Sequence, residues 1–307
     1  MRIAFFGTSS FACPALEALV KAHDIALVIT QPDRPAGRKR TLRQSPVKKA
    51  ALENGLPIAQ IERVNSAEGI DILKRAAPEV SVVASYGQLL TSDVFTLPPR
   101  GAINIHASLL PHYRGCAPIN WVIINGESST GITTFFIDKG MDSGDILLQR
   151  SCVIGPNETA GQLHDRLALL GAETIMETLQ LVETGKAKPI AQEDEKATIA
   201  PKLSSRDKEI DWKDKACDIH NLVRGLNPWP GAYSNLGKEK VKIHRTLLTG
   251  IGCGDFAPGD IALKKSGRLL VATGKDLIEI LEIQRQSRSI SSGKAFLHGL
   301  RDNSRFG

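Results

Sequence analysis

The chain has 307 residues, of which 42% are hydrophobic and 23% are charged, a composition typical of a globular protein that excludes a disordered chain or a coiled coil. Its net charge of +6 is moderate and does not by itself separate a nucleic-acid-binding protein from a basic enzyme. No apolar run approaches the ~18 residues that span a bilayer, and five scattered cysteines without a C-x-x-C pair predict a reducing cytoplasm with neither a disulfide framework nor a metal site.

The first two-thirds of the chain alternate apolar strand-like segments with helical patterns, which predicts a doubly wound α/β domain with a parallel sheet. End signals are clearest for the second helix, where Ser45 can cap, Pro46 occupies the first turn and Gly55 follows the last residue. The predicted strands are 2–7, 24–30, 56–60, 79–86, 101–108 and 131–138, and the predicted helices are 10–22, 46–54, 66–77, 116–126 and 159–185.

The first predicted strand runs into Gly7-Thr8-Ser9-Ser10, which lacks the G-x-G-x-x-G pattern of a dinucleotide site. The second strand closes with Thr30-Gln31-Pro32 and has no acidic residue to bind a ribose. Both observations argue against a nicotinamide-dependent dehydrogenase.

A basic segment follows the second strand. Residues 31–49 contain seven Lys and Arg residues against Asp33 alone. Charged loops are more often simply solvated, but this imbalance favours a surface that attracts a polyanion.

Three polar residues alternate along the strand 101–108, namely Asn104, His106 and Ser108, so they share one face. Because helices cover both faces of a doubly wound sheet, its central strands are usually apolar on both faces. The three side chains therefore either form local hydrogen bonds at the strand end or face a ligand cleft, since open α/β sheets bind ligands at that end.

The strand 131–138 ends in the glycine-bracketed acidic loop Lys139-Gly140-Met141-Asp142-Ser143-Gly144-Asp145. Such a loop is often only a hairpin turn. It could also bring Asp142 to the polar strand face, where it would supply the carboxylate partner that a catalytic imidazole commonly has.

Helical and strand periodicity is lost over 187–205, which predicts a linker. A short helix near 213–225 and glycine-punctuated strands then predict a small all-β barrel or sandwich. The predicted strands of this part are 231–236, 240–248, 258–264, 267–273 and 276–284. Residues 202–307 carry 19 Lys and Arg against 12 Asp and Glu, so the excess positive charge lies here.

Four motifs together resemble the catalytic signature of the 10-formyltetrahydrofolate-dependent formyltransferases. They are Asn104-Ile105-His106, Ser108-Leu109-Leu110-Pro111, Arg114-Gly115 and Met141-Asp142-Ser143-Gly144-Asp145. The resemblance implies a Rossmann-like formyltransferase domain followed by a small OB-like β-barrel. It further implies that the chain is an enzyme with 10-formyltetrahydrofolate as its formyl-donor cosubstrate and no metal.

Two further segments bear on the branch of the family. Thr30-Gln31-Pro32-Asp33-Arg34-Pro35-Ala36-Gly37-Arg38, followed by Lys39-Arg40, resembles the basic loop of the members that formylate methionine esterified to initiator tRNA for translation initiation. Asn227-Pro228-Trp229-Pro230-Gly231-Ala232 excludes the single-domain purine branch but is similar in the amino-sugar branch. A nucleotide-sugar formyltransferase therefore stays the alternative enzyme. A catalytically silent tRNA-binding protein has no use for Asn104, His106 and Asp142.

The resemblance also assigns residues. Asn104 and His106 are expected to donate hydrogen bonds to the oxyanion, while Asp142 sets the charge state of His106 and helps to relay a proton. The expected folate contacts are Tyr86, Gly87, Gln88, Leu89, Leu90, Ser108, Leu109, Leu110 and Pro111. The expected tRNA contacts are Arg38, Lys39, Arg40 and Arg43.

The expected organisation is a catalytic domain over 1–188, a linker over 189–205 and a tRNA-binding β-barrel over 206–307. We expect a cytoplasmic monomer that acts on methionyl-initiator-tRNA, with no membrane attachment and no obligate protein partner.

Overall fold

The structure is a computed structural model that describes residues 1–36, 41–262, 267–300 and 305–307. It divides into two compact units. The first unit comprises Met1–Gly115, Thr130–Cys152 and His164–Ala200, and the second comprises Cys116–Ser129, Val153–Leu163 and Pro201–Gly307. None of the helices in the described part of the chain is long and apolar enough to cross a membrane.

The strands and helices are numbered along the whole chain. The strands are β1 (Arg2–Gly7), β2 (Asp24–Thr30), β3 (Arg34–Ala36), β4 (Thr41–Arg43), β5 (Ile58–Gln60), β6 (Val80–Ala84), β7 (Ala102–His106), β8 (Arg114–Gly115), β9 (Ser129–Phe136), β10 (Ile146–Val153), β11 (Ile199–Ala200), β12 (Ala232–Leu236), β13 (Glu239–Leu248), β14 (Ile261–Ala262), β15 (Leu270–Ala272), β16 (Leu277–Arg285) and β17 (Ser291–Ser292). The helices are α1 (Cys13–Val20), α2 (Pro46–Glu53), α3 (Ala67–Ala76), α4 (Ser92–Phe95), α5 (Pro118–Ile124), α6 (Ala160–Glu183), α7 (Ala216–Gly225) and α8 (Gly293–Leu297), with short 3-10 turns at Ser10–Ala12, Asp194–Lys196 and Arg206–Lys208.

The first unit is built on a seven-stranded sheet in the order β10-β9-β7-β6-β1-β2-β5. Strands β7, β6, β1, β2 and β5 form its parallel part, and every residue of β6 is buried. Burial on both faces explains why β6 is apolar apart from Ser81. The predicted doubly wound α/β class is confirmed, although β9 pairs antiparallel to β7, which the apolar pattern alone did not indicate.

The predicted end signals of α2 are confirmed. The Ser45 hydroxyl accepts a hydrogen bond from Lys48 N at 3.0 Å, and Pro46 is the first helical residue. Proline fits there because the first helical N–H has no partner within the helix. Gly55 follows the helix with φ +64°, a left-handed conformation that favours glycine.

The second unit is built on a curled antiparallel sheet in the order β12-β13-β16-β15-β14, with β17 also paired to β16. The register of β13 shifts twice, around Arg245, and such bulges bend a strand and let a sheet curl into a half-barrel. Trp212 and Phe306 are buried in its core, with their ring centroids 5.2 Å apart. This architecture confirms the predicted small β-barrel class.

The boundary between the units differs from the expected domain limits in two ways. Within the expected linker, β11 pairs with β8 and the chain as far as Ala200 groups with the first unit. Within the expected catalytic domain, helix α5 groups with the second unit, where it packs against α7. Both differences arise from pairing and packing between residues far apart in sequence.

Candidate active site

The strand order reverses between β1 and β6, because the chain adds strands outward from β1 in one direction and then continues with β6 and β7 in the other. Ligands of open α/β sheets bind at such a switch point. The two strand ends are tied together, since Thr8 N donates to Ser85 O at 3.2 Å and the Thr8 hydroxyl donates to Tyr86 O at 2.8 Å. The neighbouring strand β7 brings Asn104 and His106 to the same edge.

Asn104 and His106 alternate along β7 and therefore lie on one face of the sheet. His106 is only 5% exposed, whereas Asn104 is half-buried. Among the described residues, no hydrogen-bond partner is found for the Asn104 side chain. Its amide is therefore available to a ligand.

The His106 ring is held from both sides. Its Nε2 lies 2.9 Å from the carbonyl oxygen of Tyr113, and because a carbonyl can only accept, Nε2 carries a proton and donates it. The opposite nitrogen, Nδ1, lies 3.6 Å from Asp142 Oδ2. These contacts orient the imidazole with its Nδ1 edge toward a carboxylate.

Asp142 is positioned by the loop 138–145 that joins β9 to β10. Its backbone has φ +53°, and its Oδ2 accepts a hydrogen bond from Gly115 N at 2.8 Å. Gly144 permits the loop to turn this closely, because a Cβ at that position would lie 1.7 Å from Phe136 O. The structure thus brings together Asn104, His106 and Asp142, residues that sequence analysis placed in one site.

Ser108 lies beyond the end of β7 and is fully buried. Its hydroxyl donates to His112 O at 2.6 Å, and its carbonyl accepts from the Thr133 hydroxyl at 2.7 Å. Thr133 also accepts from Leu110 N at 3.0 Å, so the segment 108–111 is fixed beside β9. Leu110 is buried, whereas Leu109 and Pro111 are half-buried.

The segment 86–90, expected to bind folate, is divided between core and surface. Tyr86 is 2% exposed and packs edge-on against Phe6 with ring centroids 5.4 Å apart, and burial raises the pKa of its hydroxyl to about 12. Leu90 is also buried, while Gly87 and Leu89 are exposed and Gln88 accepts a hydrogen bond from Val64 N. The Tyr86 ring is therefore a core side chain, and its backbone carbonyl accepts the hydrogen bond from Thr8.

Arg38, Lys39 and Arg40 lie outside the described residues. Arg43 is exposed in β4, where it pairs directly opposite Arg34 of β3. Arg34 forms an ion pair with Glu62 at 3.1 Å. Like charges directly opposite each other on paired strands are destabilising, and Glu62 already offsets one of these two charges.

Sequence analysis missed Gln192 and Thr198. Gln192 donates to the carbonyl oxygens of Asp142 and Gly144, and Thr198 accepts from Tyr113 N. Both residues fall in the stretch without periodicity, where no local signal distinguishes a contact residue from a linker residue.

In the described part of the chain, no cluster of three or more His, Cys, Asp or Glu side chains could hold a metal ion. All five cysteines are free. Two polar donors and one carboxylate at a cleft can stabilise an oxyanion and move a proton, which is the chemistry of acyl transfer.

Comparison with known proteins places this geometry in context. The formyl transferase family model matches residues 1–179, and the model of the formyl transferase C-terminal domain matches residues 202–301. The chain is 46% identical over 301 residues to a methionyl-tRNA formyltransferase of Caldanaerobacter subterraneus, covering 97% of each. It is 45% identical over 302 residues to a methionyl-tRNA formyltransferase of Geobacter metallireducens, covering 98% of this chain and 96% of the relative.

Solved structures share the fold at lower identity. The sugar 3N-formyl transferase WlaRD, crystallised in the presence of dTDP and 5-N-formyl-THF, superimposes with a TM-score of 0.68 at 20% identity, over 94% of this chain and 99% of that one. The N-formyltransferase of Helicobacter canadensis, in complex with folinic acid and dTDP-3-aminofucose, has a TM-score of 0.69 at 19% identity, over 92% and 98%.

Proposed function

The chain belongs to the formyl transferase family, and from this premise we propose that it transfers a formyl group from 10-formyltetrahydrofolate to the α-amino group of methionyl-initiator-tRNA. The observation that carries the choice of substrate is the 43–46% identity, over nearly the full chain, to relatives named methionyl-tRNA formyltransferase. The product is formylmethionyl-tRNA for translation initiation. Solved relatives holding 5-N-formyl-THF or folinic acid support a folate as the formyl donor.

The reaction forms one C–N bond and breaks another. The neutral amine of methionine attacks the formyl carbon, and the carbonyl oxygen becomes an oxyanion. The amine nitrogen then loses a proton, folate N10 gains one, and tetrahydrofolate leaves. No covalent enzyme intermediate is needed, so the exposed thiol of Cys116 has no assigned role.

The Asn104 amide donates to the oxyanion, which agrees with the absence of a partner for it among the described residues. His106 Nε2 donates its proton to Tyr113 O in the unliganded site and to the substrate oxygen during the reaction. Asp142 stabilises the positive charge of the imidazole from 3.6 Å and accepts the relayed proton. Each such donor is typically worth ~10²- to 10³-fold in rate.

Folate is proposed to lie against the exposed backbone at Gly87 and against the segment 108–111. Gly87 has φ +94°, and open space surrounds the position where a Cβ would stand, so a ligand can approach the main chain closely. The tRNA is proposed to contact Arg38, Lys39, Arg40 and Arg43 together with cations of the second unit. Phosphates would neutralise these charges, which makes binding dependent on salt concentration.

The same proposal includes the expected domain roles, a monomeric state, no membrane attachment, no obligate protein partner and a cytoplasmic location. Sedimentation at working concentration tests the monomeric state and the absence of an obligate protein partner. Cell fractionation tests the absence of membrane attachment and the cytoplasmic location. The domain roles are tested by tRNA binding to variants of each part of the chain.

The decisive experiment offers the enzyme 10-formyltetrahydrofolate with three amine substrates in parallel: methionyl-initiator-tRNA, a UDP-amino-sugar and glycinamide ribonucleotide. We expect turnover of the tRNA alone. Robust turnover of the amino-sugar with none of the tRNA would overturn the proposal.

A further inference from the structure

The segment after α6 returns across the candidate active site before the chain enters the second unit. We define residues 190–200 as the strap. Its first residue pairs with Ile146 through two backbone hydrogen bonds of 2.8 and 2.9 Å, and its last two residues form β11, which pairs with β8. The whole strap belongs to the first unit.

Gln192 makes four hydrogen bonds from this strap. Its Nε2 donates to Asp142 O at 2.9 Å and to Gly144 O at 2.7 Å. Its Oε1 accepts from Arg114 Nε at 3.0 Å and Arg114 Nη2 at 2.8 Å. One amide therefore joins the loop that carries Asp142 to the strand that carries Arg114.

The residues on each side of Arg114 are the ones that hold the His106–Asp142 pair. Tyr113 O accepts from His106 Nε2, and Gly115 N donates to Asp142 Oδ2. The strap also holds this segment through Thr198, whose hydroxyl accepts from Tyr113 N at 2.8 Å and whose carbonyl accepts from Arg114 N at 2.9 Å. The separation of the imidazole and the carboxylate is thus set by two backbone segments that Gln192 links.

We propose that Gln192 is a positioning residue for formyl transfer, which holds Asp142 in register with His106. The inference rests on the proposed function, because it assumes that this pair takes part in the reaction. Only an amide satisfies both sides of the contact: Arg114 supplies two N–H donors and needs an acceptor, while the two loop carbonyls need a donor.

Glutamate at this position separates positioning from simple stabilisation. Gln192→Glu keeps the size of the side chain and gives Arg114 a charged acceptor, but it places an oxygen instead of a donor against Asp142 O and Gly144 O. Gln192→Met keeps the approximate length and removes all four hydrogen bonds. Both variants remove the donor to the Asp142 loop, whereas only the second also removes the acceptor for Arg114, which then keeps its ion pair with Asp194 at 2.8 Å.

A shift of about 1 Å between reacting groups costs up to ~10²-fold in rate, so we expect both variants to lower kcat by about 10- to 100-fold. The KM values for folate and for tRNA should stay within about twofold, since Gln192 is not placed in contact with either substrate. Gln192→Glu should melt at a higher temperature than Gln192→Met, because its carboxylate still accepts both hydrogen bonds from the Arg114 guanidinium.

The matched control is Glu193→Gln, the reverse exchange at the next position. Glu193 is exposed, and its side chain forms an ion pair with Lys196 at 2.7 Å on the surface, so this variant should retain wild-type kcat. The wild-type enzyme is assayed alongside on the three amine substrates, and its failure to formylate tRNA would overturn the proposed function rather than the role of Gln192. If the wild type is active on any of them, a Gln192→Glu enzyme with wild-type kcat overturns the positioning role, as does a loss confined to KM or to the melting temperature.

Discussion

Replacing Asp142 by asparagine removes one charge from the His106–Asp142 pair and keeps the size of the side chain. The amide oxygen of the asparagine can still accept the hydrogen bond from Gly115 N, which is 2.8 Å long in the wild-type protein. The loop 138–145 also keeps its contacts with Gln192, because these involve backbone carbonyls. The substitution therefore changes the electrostatics at His106 while leaving the local structure in place.

The magnitude follows from the geometry. The two side chains are 6% and 19% exposed, and the distance from His106 Nδ1 to Asp142 Oδ2 is 3.6 Å. At an effective dielectric constant of about 20, unit charges at that distance attract by ~4–5 kcal/mol. This is an upper limit for the stabilisation of a positive charge on the ring during proton transfer, so we expect kcat to fall by ~10²- to 10³-fold.

Single-turnover formyl transfer with saturating folate measures this effect, with circular dichroism to show that the fold is intact. Asn104→Ala and His106→Ala should lose a similar factor, because each removes one of the two proposed oxyanion donors. The pair of half-buried His164 and exposed Asp165, 2.9 Å apart, supplies the control, since Asp165→Asn makes the same chemical change and should leave kcat unaltered. A folded Asp142→Asn enzyme within about threefold of the wild-type rate would refute the role assigned to this charge.

Three further predictions concern binding and stability. Replacing Arg38, Arg40 and Arg43 by serine should lower kcat and raise KM for tRNA, because these residues are expected to hold the aminoacyl end in place. Replacing Lys238, Lys240 and Lys242 should raise KM alone and lower the slope of the log-log salt dependence by about one unit for each phosphate that is no longer neutralised. Loop variants that change neither parameter would show that the loop is only a solvated surface feature. Tyr86→Phe should resist alkaline unfolding better than the wild type, because burial raises the pKa of the Tyr86 hydroxyl from 10.0 to about 12 and the wild type loses stability as the pH rises through that interval. Equal profiles of unfolding free energy against pH for the two proteins would contradict this assignment. Trp212→Ala should cost about 3–5 kcal/mol of unfolding free energy, because the side chain is 4% exposed and its indole donates to the Ser234 hydroxyl. The control Trp229→Ala, at a position that is 79% exposed, should stay within about 0.5 kcal/mol of the wild type in the same denaturant titration. Equal losses in the two variants would refute the burial argument.

The grouping of Asn104, His106 and Asp142 was predictable because the signals that mark these residues are local. Asn104 and His106 are polar residues in a strand that otherwise needs apolar side chains, and the alternation of a strand places them on one face. The Asp142 loop is bracketed by glycines, of which Gly144 leaves no room for a Cβ. Tyr86 shows the limit of such reasoning: an aromatic residue next to a cleft glycine is compatible with ligand stacking, and only its contact with Phe6 places the ring in the core.

The sequence by itself determined the class of both folds, the helix ends such as the Ser45 cap, and the placement of Asn104 and His106 on one face of β7, since each depends on periodicity or on the chemistry of neighbouring residues. Tertiary structure alone decided the direction of β9, the assignment of α5 to the second unit and the contacts of Gln192. These features join residues far apart in the chain, and Gln192 is separated from Asp142 by the whole of β10 and α6. A polar residue in a stretch without periodicity acquires its role only when folding brings unsatisfied carbonyls and a buried guanidinium to its two ends.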